Sequence, residues 1–238
     1  MRAILHIGIH KTGTTSIQQY LQDHRQTLTA AGISFFRGRH IPQNHVELHT
    51  LSIRDDRLTP FKLMMGQPVS KAYRDAVISE INTFKAEAVT DTILFSAEGL
   101  SYLRFPDEFR RLRDLIGLDD VSVIAYKRAP AEWLASYAAE MKNIPAPPVI
   151  DDQSFAYVEP NTWLIDFDTR LDPFRQEFGD LTIIDYDEVS RRDGGVIPSF
   201  LRVLGICHIA GNDIANYRLN ARAQARPSPE VETQTGKT

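Results

Sequence analysis

Residues 2–16, RAILHIGIHKTGTTS, decide how the rest of the chain is read. Ala3, Ile4, Leu5 and Ile7 form a short apolar run of strand length. Gly8 interrupts it, and the polar turn His10-Lys11-Thr12-Gly13-Thr14-Thr15-Ser16 follows. Beyond the turn, Ile17, Tyr20, Leu21 and Leu28 recur near helical spacing, which predicts a helix over 15–30 that stops at Gly32. A glycine turn that opens a helix gathers backbone N–H groups and the positive end of the helix dipole at one point. That is a ready anion site.

This loop departs from the ATP and GTP phosphate loop, Gly-x-x-x-x-Gly-Lys-Ser/Thr, at its most informative position. Gly8 and Gly13 have the right separation, and Thr15 takes the final hydroxyl position. Thr14, however, stands where the lysine belongs, and Lys11 lies inside the loop instead. A ligand-free reading also exists, because Ser and Thr favour helix starts for capping alone. Five polar side chains around one glycine, directly after a buried strand, favour the anion.

Working outward, short apolar strands are expected at 33–36, 92–96, 121–127 and 181–186. Helices are expected at 70–88, 106–117, 130–142, 163–178 and 196–205, with Pro130 suited to a first helical position. The alternation predicts an α/β fold, a P-loop-type parallel β-sheet flanked by helices on both faces. One domain is expected over 1–226, with a polar tail at 227–238. The proline-punctuated stretches 37–68 and 143–162 are expected to be substrate-side loops.

Composition narrows the partners. The 238 residues are 42% hydrophobic and 24% charged, enough for a sizeable core. A formal net charge of -4 excludes a bulk electrostatic attraction to nucleic acid, so an anionic ligand must be held by a few placed cations. Cys207 is the only cysteine and reads as a small buried residue. It permits no internal disulfide and no multi-cysteine metal site. No secretory signal and no membrane-spanning apolar run is visible, so a cytoplasmic protein that does not span the membrane is expected.

The segment ILHIGIHKTGTTSIQ resembles the 5′-phosphosulfate-binding loop of sulfotransferases that use 3′-phosphoadenosine-5′-phosphosulfate (PAPS), most closely the bacterial-type and carbohydrate enzymes. The resemblance implies that Lys11 contacts the phosphosulfate and that Thr12, Gly13, Thr14, Thr15 and Ser16 wrap it. PAPS also carries a 3′-phosphate, which needs a second anion site. The family places there an arginine at a strand end and a serine eight residues later. In KRAPAEWLASYAAEMK, after the strand VSVIAY, these are Arg128 and Ser136, with Tyr137 beside the serine as in many relatives. Arginine suits the task because its fork gives two hydrogen bonds to one phosphate. Arg218, Arg222 and Arg226, four apart, resemble the basic C-terminal segment that closes over the 3′-phosphate; a solvated basic face is the other reading.

The implied reaction moves a sulfuryl group from PAPS to an acceptor hydroxyl, leaving adenosine 3′,5′-bisphosphate. In-line attack, positioning and charge stabilisation carry such a transfer, and no divalent metal is required. Lys11 would stabilise the leaving oxygen. Glu98, in FSAEGLS after a strand, is the candidate general base, because α/β folds gather ligands at the carboxyl edge of the sheet. A helix-start carboxylate on the dipole is its bland reading. His10, His45 and His49 are rivals, with His45 assigned to the substrate side. The resemblance points to a carbohydrate acceptor, a glycan precursor. Two other functions stay open: a P-loop kinase acting on a small molecule, and a nucleotide-binding relative without turnover. Oligomeric state leaves no trace in the sequence.

Overall fold

The fold follows from where each short apolar run sits relative to the next. In the computed structural model, described for residues 1–65, 69–211 and 213–217, five strands form one sheet. They are β1 (Arg2–His6), β2 (Ile33–Phe35), β3 (Thr92–Ser96), β4 (Val121–Lys127) and β5 (Asp180–Asp185). Their order is β2-β3-β1-β4-β5, and every pairing is parallel. Parallel neighbours require crossovers, and helices supply them.

The helices are α1 (Thr14–Asp23), α2 (Arg25–Ala30), α3 (Val46–Ser52), α4 (Pro60–Met65), α5 (Lys71–Glu87), α6 (Pro106–Ile116), α7 (Pro130–Met141), α8 (Phe167–Phe178), α9 (Tyr186–Asp193) and α10 (Ile197–Val203). Side chains alternate across the pleat, so each strand feeds two cores. Ala3, Leu5, Ile93, Phe95, Val123 and Ala125 join one core with residues of α3, α5, α6, α7 and α8. Ile4, Leu94, Ile124 and Tyr126 join the other with residues of α1, α2, α9 and α10. The expected P-loop-type parallel sheet with helices on both faces is therefore the observed architecture. Among the described residues, no helix is long and apolar enough to cross a membrane.

Four local expectations are corrected. The helix over 15–30 is two helices, α1 and α2, separated at His24, whose ring stacks on Tyr20 at 4.1 Å between centroids. The stretch 37–68 is not an open loop: every residue of α3 is buried. Glu47 there accepts the main-chain N–H groups of Arg39 and His40, at 2.6 and 2.9 Å. Lys62 is fully buried, and its ammonium donates to the carbonyls of Arg54, Asp55 and Arg57. α9 has no counterpart in the sequence reading, because YDEVSRRD is strongly polar and buries a single side chain, Val189. Cys207, expected to be buried, is exposed.

Candidate active site

β1 is the switch point of the sheet. The chain leaves it toward β2 and β3 on one side and later fills β4 and β5 on the other. In open α/β sheets the crevice beyond the strand ends at such a point collects ligands. Lys11 follows β1, Glu98 follows β3 and Arg128 follows β4, so three adjacent strands deliver the three charged candidates to one edge. The register enforces this: His6 pairs with Ser96 and with Ile124, and the Ala97 N–H bonds the His6 carbonyl at 2.9 Å.

The loop from Gly8 to Gly13 is wound tightly. Gly8, Lys11 and Gly13 have φ of 35°, 65° and 79°. A Cβ on Gly8 would lie 2.5 Å from Thr14 Oγ1, and one on Gly13 would lie 2.8 Å from Val196 Cγ2. Both positions therefore need glycine for space as well as for φ. The Thr12 hydroxyl donates to the Ile9 carbonyl at 2.5 Å, and the Trp133 indole donates to the His10 carbonyl at 2.5 Å. Gly13 caps α1 without any side-chain hydrogen bond, and the first turn of α1 holds no acid. The first N–H groups of a helix lack intrahelical acceptors, so this uncapped end is fit for an anion. Thr12, Thr14 and Ser16 are buried in the wall of the loop, while Thr15 is exposed.

Lys11 does not stand alone. Its Nζ lies 3.4 Å from Oε2 of Glu140 on α7. Glu98 opens a 3-10 turn, Glu98–Tyr102, and is pushed up to about 7 by burial first and by the Glu140 carboxylate second, with Lys11 pulling it down. The rival histidines do not share this range. Burial drives His10, His45 and His49 each down to about 3, so all three stay neutral.

Hydrogen bonding fixes the His10 tautomer. Tyr137 donates to the Phe155 carbonyl at 2.9 Å, so its oxygen must accept from Tyr102, 2.8 Å away. Tyr102 then has only lone pairs to offer His10 Nε2 at 3.3 Å, which makes Nε2 the protonated nitrogen. His45 is corrected. It is fully buried, and its Nδ1 accepts the Ser96 N–H at 2.9 Å while its own N–H bonds the Ser96 carbonyl at 2.9 Å. It ties the start of α3 to the end of β3.

Arg128 is held from α9. Its Nε lies 3.3 Å from Asp187 Oδ1, the Ala129 N–H bonds Asp187 Oδ2 at 3.0 Å, and the guanidinium lies 5.1 Å from the Tyr186 ring centroid. Ser136 is half-buried on α7, in one i, i+4 row with Glu132 and Glu140. That row runs from Arg128 to Lys11: Glu132 lines a cleft of about 620 Å³ with Arg128, and Glu140 meets Lys11. Carboxylates outnumber cations in the lining of this cleft, with Glu132, Asp166, Asp168, Asp185 and Asp187 against Lys127, Arg128 and Arg191. The 143–162 stretch walls a second cleft of about 350 Å³, where Arg54, Arg57 and Arg104 surround Phe105.

Sequence reading missed Glu140 and Asp187, gave no role to Trp133 or Tyr102, and marked Tyr137 only through the resemblance. Of the two missed residues, Glu140 alone carried a signal, lying one helical turn beyond Ser136. Arg218, Arg222 and Arg226 lie outside the described residues. Among the described residues, no three His, Cys, Asp or Glu side chains converge to hold a metal ion.

No family model matches the chain, and no curated protein matches it. Among solved structures the fold is similar to the crystal structure of a sulfotransferase from Alicyclobacillus acidocaldarius. The TM-score is 0.57 with 16% sequence identity, over 94% of this chain and 87% of that one. At that identity the likeness concerns the fold alone.

Proposed function

We propose that this chain is a PAPS-dependent sulfotransferase whose acceptor is a hydroxyl on a carbohydrate or glycoconjugate. One observation carries the reading. Two cations, Lys11 beside the uncapped end of α1 and Arg128, leave neighbouring strands together with Glu98, a carboxyl pushed up to about 7. The sulfotransferase-like fold supports it.

In this reading the α1 N-terminus and Lys11 hold the 5′-phosphosulfate, the group that supplies the transferable sulfuryl. Thr12 and Trp133 hold the loop in shape. Arg128 and Ser136 take the 3′-phosphate, with Asp187 keeping the guanidinium in place. Glu98 accepts the proton of the attacking hydroxyl, which a carboxylate near 7 does efficiently at neutral pH. No metal enters the reading. Thr14, standing where a kinase loop has its lysine, disfavours ATP.

Calorimetric titration with adenosine 3′,5′-bisphosphate and, in parallel, ATP without magnesium tests this. Tighter binding of the bisphosphate, lost in Arg128→Ala, is the expected result. Preference for ATP would move the chain to the kinases, and binding of neither would overturn the donor assignment.

A further inference from the structure

The loop after β1 offers a ligand mostly hydrogen-bond donors. The first N–H groups of α1 are uncapped, Lys11 brings an ammonium, and the enclosed Thr14 hydroxyl has no partner among the described residues. His10 Nδ1 is the exception. The residue is 8% exposed, and Nδ1 is enclosed without a hydrogen-bond partner among the described residues. Three bonds fix its state. From the Phe155 carbonyl through Tyr137 and Tyr102 to His10 Nε2 they measure 2.9, 2.8 and 3.3 Å, and they leave the ring proton on Nε2. Nδ1 therefore carries a lone pair and can only accept. The Trp133 indole ties the His10 carbonyl at 2.5 Å, so the ring and the main chain of this residue are both held. An enclosed acceptor without a donor is costly, and its presence in a loop of donors calls for a ligand that brings a hydrogen.

A 5′-phosphosulfate, ionised at neutral pH, has no hydrogen to give, but a hydroxyl has. We infer that His10 Nδ1 accepts a hydrogen bond from a hydroxyl of the acceptor and so helps to select it. The inference rests on the sulfotransferase reading, in which Glu98 takes the hydrogen of the attacking hydroxyl. One hydroxyl has one hydrogen and cannot serve both residues, so His10 reads a second hydroxyl of the same molecule. Glu98 and Tyr102 are the two ends of one 3-10 turn, and Tyr102 bonds His10, so a single short turn relates the two acceptor groups. The substrate class is thereby narrowed to polyols with neighbouring hydroxyls, such as sugars, over phenols and simple alcohols.

His10 does not act as the base. Burial first, and the Arg170 charge second, hold it down to about 3, so the ring takes a hydrogen bond and leaves the proton on the hydroxyl. Tyr102 and Tyr137 are pushed up by burial and stay protonated, which keeps the chain of bonds running one way.

Nitrogen NMR of the histidine rings tests the first step in the unliganded protein. His10 should carry its proton on Nε2. Tyr137→Phe frees the Tyr102 hydroxyl to donate to Nε2, and the proton should move to Nδ1. A proton on Nδ1 in the parent protein overturns the inference, and an unmoved tautomer in Tyr137→Phe overturns its control by the tyrosines.

Methyl glucoside, methyl galactoside, methyl mannoside and phenol are then titrated with and without adenosine 3′,5′-bisphosphate. At least one hexoside should move the Nδ1 resonance upfield, as a lone pair that gains a donor does, and phenol should not. His10→Gln places its amide against Tyr102 but leaves nothing at Nδ1, and should weaken that hexoside about three- to tenfold. His10→Asn puts an amide oxygen near the place of Nδ1 and should recover most of the affinity. A silent Nδ1 with all three hexosides, an equal response to phenol, or unchanged affinity in His10→Gln overturns the second hydroxyl. The hexoside response without any binding of the bisphosphate sinks the donor reading but leaves a polyol site at His10.

Discussion

The indole N–H of Trp133 donates to the main-chain carbonyl of His10 at 2.5 Å, so the helix after β4 holds the loop after β1. The loop after β1 and the α7 segment that carries Ser136 and Glu140 are therefore tied to each other. Trp133 is fully buried and stacks on Tyr137 at 4.6 Å. Trp133→Phe keeps most of the apolar contact but strands the His10 carbonyl. The expected loss is about 1–3 kcal/mol in urea unfolding, together with weaker binding of adenosine 3′,5′-bisphosphate. Full stability with full affinity would show that the bond positions nothing.

Gly13 meets two separate restrictions. Its φ of 79° disfavours any side chain, and a Cβ there would lie 2.8 Å from Val196 Cγ2. Gly13→Ala should cost roughly 1–3 kcal/mol and weaken anion binding by displacing the N-terminus of α1. Adding Val196→Ala removes the contact but leaves φ unchanged. The double variant should therefore recover only part of the affinity in the same titration, and complete recovery would mean that crowding alone fixed the glycine.

The fold was legible wherever burial and period coincided. VSVIAYK and TILFS read as buried strands because nearly every residue in them is buried, and the two faces of the sheet need no separate signal. The tight turn between β1 and α1 was legible because glycine and hydroxyl residues crowd a strand end. Glu98 was placed by the same strand-end logic. What failed were segments whose polar residues are satisfied internally. In α3, the hydroxyls of Thr50 and Ser52 bond carbonyls one turn back, and Glu47 caps a neighbouring loop. A polar pattern there is compatible with complete burial, so His45 looked like a surface residue. Glu140 could not be read as the partner of Lys11 for another reason: the two are 129 positions apart, and only the sheet topology brings them near.

Lys11 and Glu98 should separate binding from turnover. In the proposed reading Lys11→Ala removes charge stabilisation that matters most as the leaving oxygen develops charge. Turnover should fall about 100-fold or more, while affinity for adenosine 3′,5′-bisphosphate changes less than about 10-fold. Glu98→Gln should also reduce turnover, by about 100-fold or more. Because Glu98 must be unprotonated to act, the rate of the parent enzyme should climb with pH and level off above about 7. Steady-state rates with a glycan acceptor measure both. An unchanged rate in Lys11→Ala, or full activity of Glu98→Gln at neutral pH, would remove the corresponding role.

Four histidines make stability depend on acidity. His6, His10, His45 and His49 are each buried and held down to about 3 from an ordinary 6.5. Below 6.5 the unfolded chain binds protons that the folded protein refuses, so each histidine stabilises the fold above that value and stops doing so as pH falls. Glu98 works in the opposite direction. Raised to about 7 from 4.5, it favours the folded state at low pH and ceases to as pH rises through that window. Glu47, also raised by burial, works in the same direction as Glu98, and the four histidines outweigh the two carboxyls. Between 4.5 and 6.5 the net difference is about three protons at most, a slope of about 4 kcal/mol per pH unit. Small domains have only about 5–15 kcal/mol to lose, so unfolding on acidification should begin well above the range of ordinary carboxylates. Chemical denaturation at pH values from 7 down to 5 measures the slope. Histidine ring NMR should show these four rings without titration until the protein unfolds. A flat stability profile, or ring titration near 6.5 in the folded state, would show that the buried histidines are charged in place and that the loops they anchor open to admit the proton.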